Sequence, residues 1–256
     1  LRPYEKEKGS TDAWCETWIH TIHQWFMKNK NYSTLAMRSV FKKIARSTRE
    51  VQIQRTDKIK VGVVGEIYVK FSPMGNNDLK AFLESQDCEV NMPGVMGYVE
   101  YCIANFALDI EYYGGKKYMQ IIWKMGLAIL DSLNSSMRKS MERYGFTGPG
   151  SFKKIMDGTK GIIHLGAKMG EGWLLSGEMV ELLRTGYPNI ICAQPFGCLP
   201  NHIMGKGVVN VLREKYPESN IAAIDYDPSA TKVNQENRIK LMLAVAKENM
   251  KKGQEK

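Results

Sequence analysis

One cysteine of this chain lies in a setting where a thiol could do chemistry. Cys198 stands in Gln-Pro-Phe-Gly-Cys-Leu-Pro-Asn-His, residues 194–202, directly after the apolar run Ile190–Ala193. The run predicts a buried strand, a proline and a glycine end it, and Asn201 is a plausible N-cap for a following helix. Because a helix start favours negative charge, Cys198 could act there as a nucleophile, a redox thiol or a metal ligand.

The other cysteines have less constrained settings. Cys192 lies inside the predicted strand, six residues from Cys198, which is not a chelating spacing, so packing explains it. Cys88 and Cys102 are expected in core or half-buried positions, although Cys102 could approach a site if its helix begins there. Five scattered cysteines in a long chain predict reduced thiols rather than a disulfide framework.

Three residues are candidates for acid or base chemistry. Glu66 lies in a predicted strand, where a buried carboxylate needs Lys70 or a backbone donor as a partner, or serves as a site acid. Glu171 lies near a predicted helix start, where capping and an active-site role are both open. His202 falls in the first turn of a helix beside Cys198 and could donate to an anionic ligand, or it is simply a half-exposed histidine.

A second group of residues could bind a cofactor. Gly170 and Gly172 offer backbone N–H groups that suit an anion, and Lys70 supplies a cation nearby. Asp225 ends an apolar strand, where it could contact a ligand or serve ordinary turn chemistry. No Walker lysine pattern and no GxGxxG fingerprint is present, which counts against a self-contained ATPase or a standard dinucleotide site.

The elements that must position these residues alternate between strands and helices. Strands are predicted at 59–69, 89–92, 190–194 and 221–225, with helices between them and a final helix over 231–250. This order predicts an α/β fold, a Rossmann-like or flavodoxin-like parallel sheet with helices on both faces. Ligands of such sheets lie beyond the carboxyl ends of the strands, so loops 70–75, 194–202 and 226–228 should converge on one crevice.

The first part of the chain differs from the rest. Residues 1–57 predict a helical, basic section, with helices over 11–30 and 33–49 and Thr11 as a possible cap. Residues 1–60 carry 13 Lys or Arg against 6 Asp or Glu, most of the net charge of +9. The basic side chains predict a solvated helix face or a docking surface for an acidic partner, and no nucleic-acid motif accompanies them. Residues 58–256 predict the α/β domain, with a helical insertion at about 95–150.

Composition limits the class of protein. The apolar fraction is 43%, typical of a globular chain, and no apolar run approaches the roughly 20 residues of a bilayer span. No signal-peptide pattern stands at the N-terminus, so we expect a soluble, cytoplasmic protein without membrane contact. The polar start at Leu1 is typical of the interior of a longer chain, so we also expect an excised piece.

Four segments in order carry a resemblance to a known family. They resemble the 2-hydroxyacyl-CoA dehydratase component family, and more closely the dehydratase-like C-terminal region of large acyl-CoA dehydratase activase-related proteins. The resemblance spans about residues 58–245. The segments are KVGVVGEIYVKFSPM at 60–74, GEGWLLSGEM at 170–179, QPFGCLPNHI at 194–203 and IAAIDYDPSATKVNQENRIKLML at 221–243.

The resemblance implies iron–sulfur chemistry. In the family an ATP-driven activase sends one electron to an oxygen-sensitive 4Fe-4S-type cluster, which reduces the thioester carbonyl of a 2-hydroxyacyl-CoA. Only Cys198 matches a ligand position of the family, whose other ligand cysteines belong to motifs upstream of this region. The resemblance thus implies an electron-transfer module that is inactive and cluster-free alone, with upstream ATPase and cluster-binding regions and an acyl-CoA as partners. The alternative is a non-catalytic module that binds CoA or a nucleotide phosphate.

Overall fold

The chain folds into two compact units. The structure is a computed structural model that describes residues 1–28, 32–227, 229 and 231–254. The first unit comprises residues 1–57 and 128–151, and the second comprises 58–127 and 152–256. The segment 128–151, the last part of the helical insertion expected at about 95–150, belongs to the unit that contains the N-terminal helices.

Two helices form the N-terminal part of the first unit. Helix α1 spans Ser10–Lys28 and α2 spans Thr34–Ser47, so both predicted helices exist; residues 29 and 30 of the first prediction lie outside the described residues. Tryptophans of α1 hold the end of α2, because the indole nitrogens of Trp14 and Trp18 both donate to Ser47 Oγ, at 3.0 and 2.7 Å. The basic side chains Lys42, Lys43 and Arg46 are exposed, as the helical spacing predicts.

The carboxylate of Glu5, and not Thr11, satisfies the start of α1. Its oxygens accept hydrogen bonds from the backbone N–H groups of Gly9 and Thr11, both at 2.8 Å. Burial acts to raise the pKa of Glu5, but the hydrogen bonds from Gly9, Thr11 and Ser10 outweigh it and lower the pKa to about 2. The cap was predicted wrongly because its side chain lies five residues before the helix, beyond the local capping pattern.

We expect Glu5→Ala to destabilise the first unit by about 1 kcal/mol near neutral pH, the usual cost of losing an N-terminal cap. The exposed Glu7→Ala is the matched control and should change little. Because the folded pKa lies below the ordinary value of 4.5, the stabilisation is complete above that value and is lost as the pH falls towards 2. Urea unfolding at several pH values measures this; a gap between wild type and Glu5→Ala that widens in acid contradicts it.

The second unit is built on a four-stranded, all-parallel sheet. Its strands follow the spatial order β2-β1-β3-β4, with β1 and β3 central. In register, Val64 of β1 pairs with Cys192 of β3, and Gln194 of β3 pairs with Asp225 of β4. The strands are β1 Ile59–Gly65, β2 Cys88–Asn91, β3 Asn189–Pro195 and β4 Asn220–Tyr226. The predicted parallel α/β sheet is confirmed.

Helices cover both faces of this sheet. The helices from α3 onward are α3 Ile67–Phe71, α4 Pro73–Asn76, α5 Leu79–Ser85, α6 Val95–Tyr113, α7 Lys117–Glu142, α8 Phe152–Gly158, α9 Gly172–Arg184, α10 Val209–Lys215 and α11 Lys232–Gln254. Val61 and Val63 pack with α5 and α11 on one face, whereas Val64 packs with α9 and α10 on the other. This alternation is the side-chain period of a strand buried on both faces. Among the described residues, no helix has both the length and the apolar character needed to cross a bilayer.

Two predicted boundaries were wrong. The strand predicted to Val69 ends at Gly65, because the Glu66 side chain accepts from the Val69 N–H at 2.8 Å and starts α3. The single helix expected between the strands predicted at 190–194 and 221–225 is split into a π-helical turn, Asn201–Lys206, and α10. Gly205 of that turn lies against β3: a Cβ there would be 2.8 Å from Cys192 Sγ.

Candidate functional site

The candidate site lies at the carboxyl ends of β1, β3 and β4. From β1 the chain proceeds to β2 on one side of it, and β3 and β4 lie on the other side. A reversal of this kind leaves an opening between the two central strands, where ligands of open α/β sheets bind. Contacts at this edge join Ile67, just after β1, to Glu171 and join His202, in the loop after β3, to Asp225 of β4. Loop 194–202 therefore lies here as expected, whereas Lys70 of the first predicted loop pairs with Glu178 instead, and Pro228 of the third lies outside the described residues.

Cys198 is half-buried in the turn that follows β3. Gly197, with φ of +77°, makes the turn possible, and the Cys198 N–H donates to the Pro195 carbonyl at 3.2 Å. The sulfur accepts a hydrogen bond from Asn201 Nδ2 at 3.1 Å. The thiol predicted from the sequence is therefore present at the end of the strand, held by a side chain of the next turn.

Glu171 connects two loops of the crevice. Its side chain is 7% exposed; Oε1 accepts from the Ile67 N–H at 3.2 Å, and Oε2 accepts from Asn201 Nδ2 at 3.0 Å. It does not cap its own helix, α9, because its side chain makes no capping bond there. Glu171 therefore joins the start of α3 to the loop that carries Cys198.

His202 and Asp225 meet on the β4 side of the crevice. His202 Nδ1 donates to the Cys198 carbonyl at 2.8 Å, and its Nε2 lies 3.4 Å from Asp225 Oδ1. The same carboxylate oxygen accepts from the buried Gln194 Nε2 at 2.6 Å. The Asp225 carboxylate therefore contacts Gln194 of β3 and His202 of the segment after Cys198. These contacts go beyond the local turn role that the sequence allowed.

Glu66 and Lys70 do not pair with each other and instead have separate partners. Glu66 caps α3 through the Val69 N–H, the backbone alternative of the prediction. Lys70 Nζ lies 3.3 Å from Glu178 Oε2, and both side chains are only 2% exposed. The sequence predicted that Lys70 binds a cofactor, and this prediction is corrected. Its side chain is buried and pairs with the carboxylate of Glu178 on α9. Burial raises the pKa of Glu178, and Lys70 opposes this shift.

Gly170 and Gly172 serve the packing of the loop before α9. Both have positive φ, +59° and +45°. The Gly172 N–H donates to the Met169 carbonyl at 3.0 Å, and a Cβ at Gly170 would lie 3.2 Å from Pro200 Cβ. The predicted anion-binding role is therefore corrected for Gly172, because its N–H already donates to Met169. A glycine at position 170 allows the loop to approach Pro200 of the Cys198 loop closely.

Two residues of α6 border the carboxylates. Burial raises the pKa of the Tyr98 hydroxyl, and the neighbouring side chains of Cys102, Glu171 and Glu66 raise it further. Cys102 is half-buried, one helical turn from Tyr98. The start of α6 thus lies close to the crevice, the condition under which Cys102 was expected to approach a site.

The remaining strand thiols are shielded. Burial raises the pKa of Cys192 to about 12, with Asp225 and Glu171 contributing, and burial raises that of Cys88 to about 11. Both therefore remain protonated and packed, as expected for small core residues.

The donor set tests the fit to an iron–sulfur cluster. Cys198 is the one ligand candidate that the sequence predicts, and it is half-buried in the turn after β3. A 4Fe-4S cluster needs three or four ligands, and within the described ranges no three His, Cys, Asp or Glu side chains lie close enough to share a metal ion. The described residues therefore do not form a complete ligand set, and Cys198 is a candidate for a single position only.

Sequence reasoning missed two buried amides of the site, Gln194 and Asn201. Asn201 was read as a helix cap, but its side chain, fully buried, bridges Glu171 and Cys198. Gln194 is also fully buried and was read only as part of the strand. A polar residue at the end of an apolar strand was the available signal, since such a residue needs a specific partner.

No family model, no curated protein and no solved structure matches the chain.

Proposed function

We propose that the chain is a dehydratase-like iron–sulfur module that contributes Cys198 as one ligand of a 4Fe-4S-type cluster. The other ligands come from cluster-binding regions outside the described residues, and an ATP-dependent activase region supplies the electron. The four-segment resemblance supports the reaction class, electron transfer towards a 2-hydroxyacyl-CoA. The single observation that carries the proposal is the half-buried Cys198 sulfur at the switch point of the sheet.

The donor types of the crevice support a metal centre over a phosphate. Its titratable side chains include three carboxylates, those of Glu66, Glu171 and Asp225, beside a thiol and an imidazole. Carboxylates repel phosphate oxygens, whereas thiolates and imidazoles are donors for iron. Two backbone N–H groups at the start of α3 are already used, since that of Ile67 donates to Glu171 and that of Val69 donates to Glu66. The alternative, a module that binds CoA or a nucleotide phosphate, loses Lys70 and these amides as anchors.

The experiment is an iron and sulfide determination on the full protein that contains this chain, purified without oxygen. We expect Cys198→Ala to lose most of the iron, because a thiolate ligand cannot be replaced by a methyl group. Absorbance near the thiolate-to-iron charge-transfer bands should fall in parallel with the iron content.

Cys15→Ala is the matched control, since Cys15 is an exposed thiol of the first unit. Its iron content should equal that of wild type. Equal iron in Cys198→Ala and wild type excludes Cys198 as a ligand, and wild-type protein without iron favours the phosphate-binding alternative.

A further inference from the structure

We infer that Asn201 is a positioning residue that aims an N–H group at the Cys198 sulfur. The inference deepens the proposed function and rests on it in one respect only, that the sulfur is the working atom of the crevice. Asn201 is fully buried, and its Nδ2 lies 3.1 Å from Cys198 Sγ and 3.0 Å from Glu171 Oε2. Both protons of one amide nitrogen are therefore used, one for the sulfur and one for the carboxylate.

Glu171 fixes the orientation of this amide. If the Asn201 side chain were rotated by half a turn, its oxygen would face the Glu171 carboxylate, and two acceptors would meet without a proton between them. Glu171 is itself held from the other side, because its Oε1 accepts from the Ile67 N–H. The carboxylate thus determines which atom of Asn201 faces the sulfur.

The oxygen of Asn201 shows that this orientation has a cost. Oδ1 is buried and has no hydrogen-bonding partner among the residues that the structure describes. An unpaired buried acceptor is unfavourable. The two hydrogen bonds that Nδ2 donates, to Glu171 and to Cys198, therefore hold the amide in this orientation. A hydrophobic residue of similar size would fill the space without this penalty, but it could not donate to the sulfur.

A donated N–H group matters for a sulfur that carries negative charge. Such hydrogen bonds stabilise a thiolate, and hydrogen bonds to ligand sulfurs are among the factors that set the potential of iron–sulfur centres. Asn201 therefore acts through Cys198 and has no chemistry of its own. The assignment needs no metal to be tested, because the hydrogen bond exists in the chain alone.

Exchanging the two side chains separates positioning from structural support. In Glu171→Gln/Asn201→Asp, the new Gln amide can donate to the new Asp while its oxygen still accepts from the Ile67 N–H. The bond between positions 171 and 201 is thereby restored with reversed polarity, but no donor faces Cys198. Asn201→Asp alone breaks both bonds, because two carboxylates then face each other.

The readouts are the urea midpoint and the rate of Cys198 alkylation by iodoacetamide at one fixed pH, followed by peptide mass spectrometry with exposed Cys15 as the internal reference. We expect the exchanged pair to regain most of the midpoint that Asn201→Asp loses, while its Cys198 rate stays roughly tenfold below wild type, because the donor to the sulfur is replaced by a carboxylate that repels the thiolate. A wild-type rate in the exchanged pair overturns the inference and reduces Asn201 to a structural residue.

A second measurement holds if these variants fail to fold. In wild-type chain, the Asn201 side-chain amide protons should exchange slowly with solvent, and in Cys198→Ala one of them should shift and exchange faster in the NMR spectrum. Unchanged Asn201 signals in Cys198→Ala contradict the inference. Because both measurements use metal-free chain, their failure is distinct from failure of the proposed function, which the iron determination decides.

Discussion

Gly65→Ala should prevent the second unit from folding stably. Gly65 ends β1 with φ of +150°, and a Cβ there would overlap the carbonyl oxygen of Ala193 and lie 2.8 Å from its carbonyl carbon. That oxygen also accepts the Glu66 N–H at 3.1 Å, so it cannot move away without breaking the junction of β1 and β3. The added Cβ of one central strand clashes with the backbone of the other, and we expect a loss of more than about 4 kcal/mol.

This loss is comparable to the whole stability of many domains, about 5–15 kcal/mol. Soluble yield and urea unfolding followed by circular dichroism measure it. Gly126→Ala is the control of opposite sign: it lies inside α7 with no atom within 4 Å of the added Cβ, so it should stabilise the helix by about 0.5–1 kcal/mol. A Gly65→Ala protein with the wild-type midpoint contradicts the prediction.

Lys70→Met should destabilise the second unit by about 3–5 kcal/mol near neutral pH, because it leaves Glu178 buried without its cation. Burial already raises the pKa of Glu178 above its ordinary value of 4.5, and loss of Lys70 raises it further. A raised folded pKa means that the native state prefers the protonated acid. The deficit is therefore smallest below that ordinary value and grows as the pH rises through the folded pKa.

Urea midpoints of wild type and Lys70→Met over a range of pH test this dependence. Lys70→Met/Glu178→Gln should recover a large part of the loss, since the remaining group is neutral. Lys80→Met is the matched control, because Lys80 is exposed and lies 3.9 Å from Glu84, a surface pair worth less than about 1 kcal/mol. A deficit that is equal in Lys70→Met and in the double variant would show that lost packing, and not the buried charge, is responsible.

The sheet could be predicted from the sequence because its strands are short apolar runs bounded by turn residues. Ile190–Ala193 is buried on both faces, and in the run from Ile221 every residue is buried or half-buried, so both runs are recognisable from their apolar character. The end of β1 could not be predicted from the sequence, because Ile67–Phe71 contains β-branched and aromatic residues typical of strands. Two side chains outside that run decide the outcome. Glu66 accepts from the Val69 N–H, and Glu171, 104 residues away, accepts from the Ile67 N–H, so tertiary geometry adds to a local cap and overrides the preference of the run.

The site could be predicted only in part, for the same reason. Strand ends indicated Cys198, His202 and Asp225, because carboxyl ends of parallel strands share one edge. The partners of Lys70 and Asn201 lie 108 and 30 residues away in the sequence, at Glu178 and Glu171. No local spacing contains such pairs, so the buried ion pair and the amide that faces the sulfur become visible only in three dimensions.

The labelling rates of the two shielded thiols, Cys88 and Cys192, report how often different parts of the sheet open. Cys88 lies on the edge strand β2 and Cys192 on the central strand β3, and neither sulfur can react until the structure around it opens. Openings of different size have different free energies, so the two labelling rates distinguish fraying of the sheet edge from separation of its centre. Cys192 lies against Gly205 of the π-helical turn that follows Cys198. The labelling rate of Cys192 therefore also reports how often this turn separates from β3.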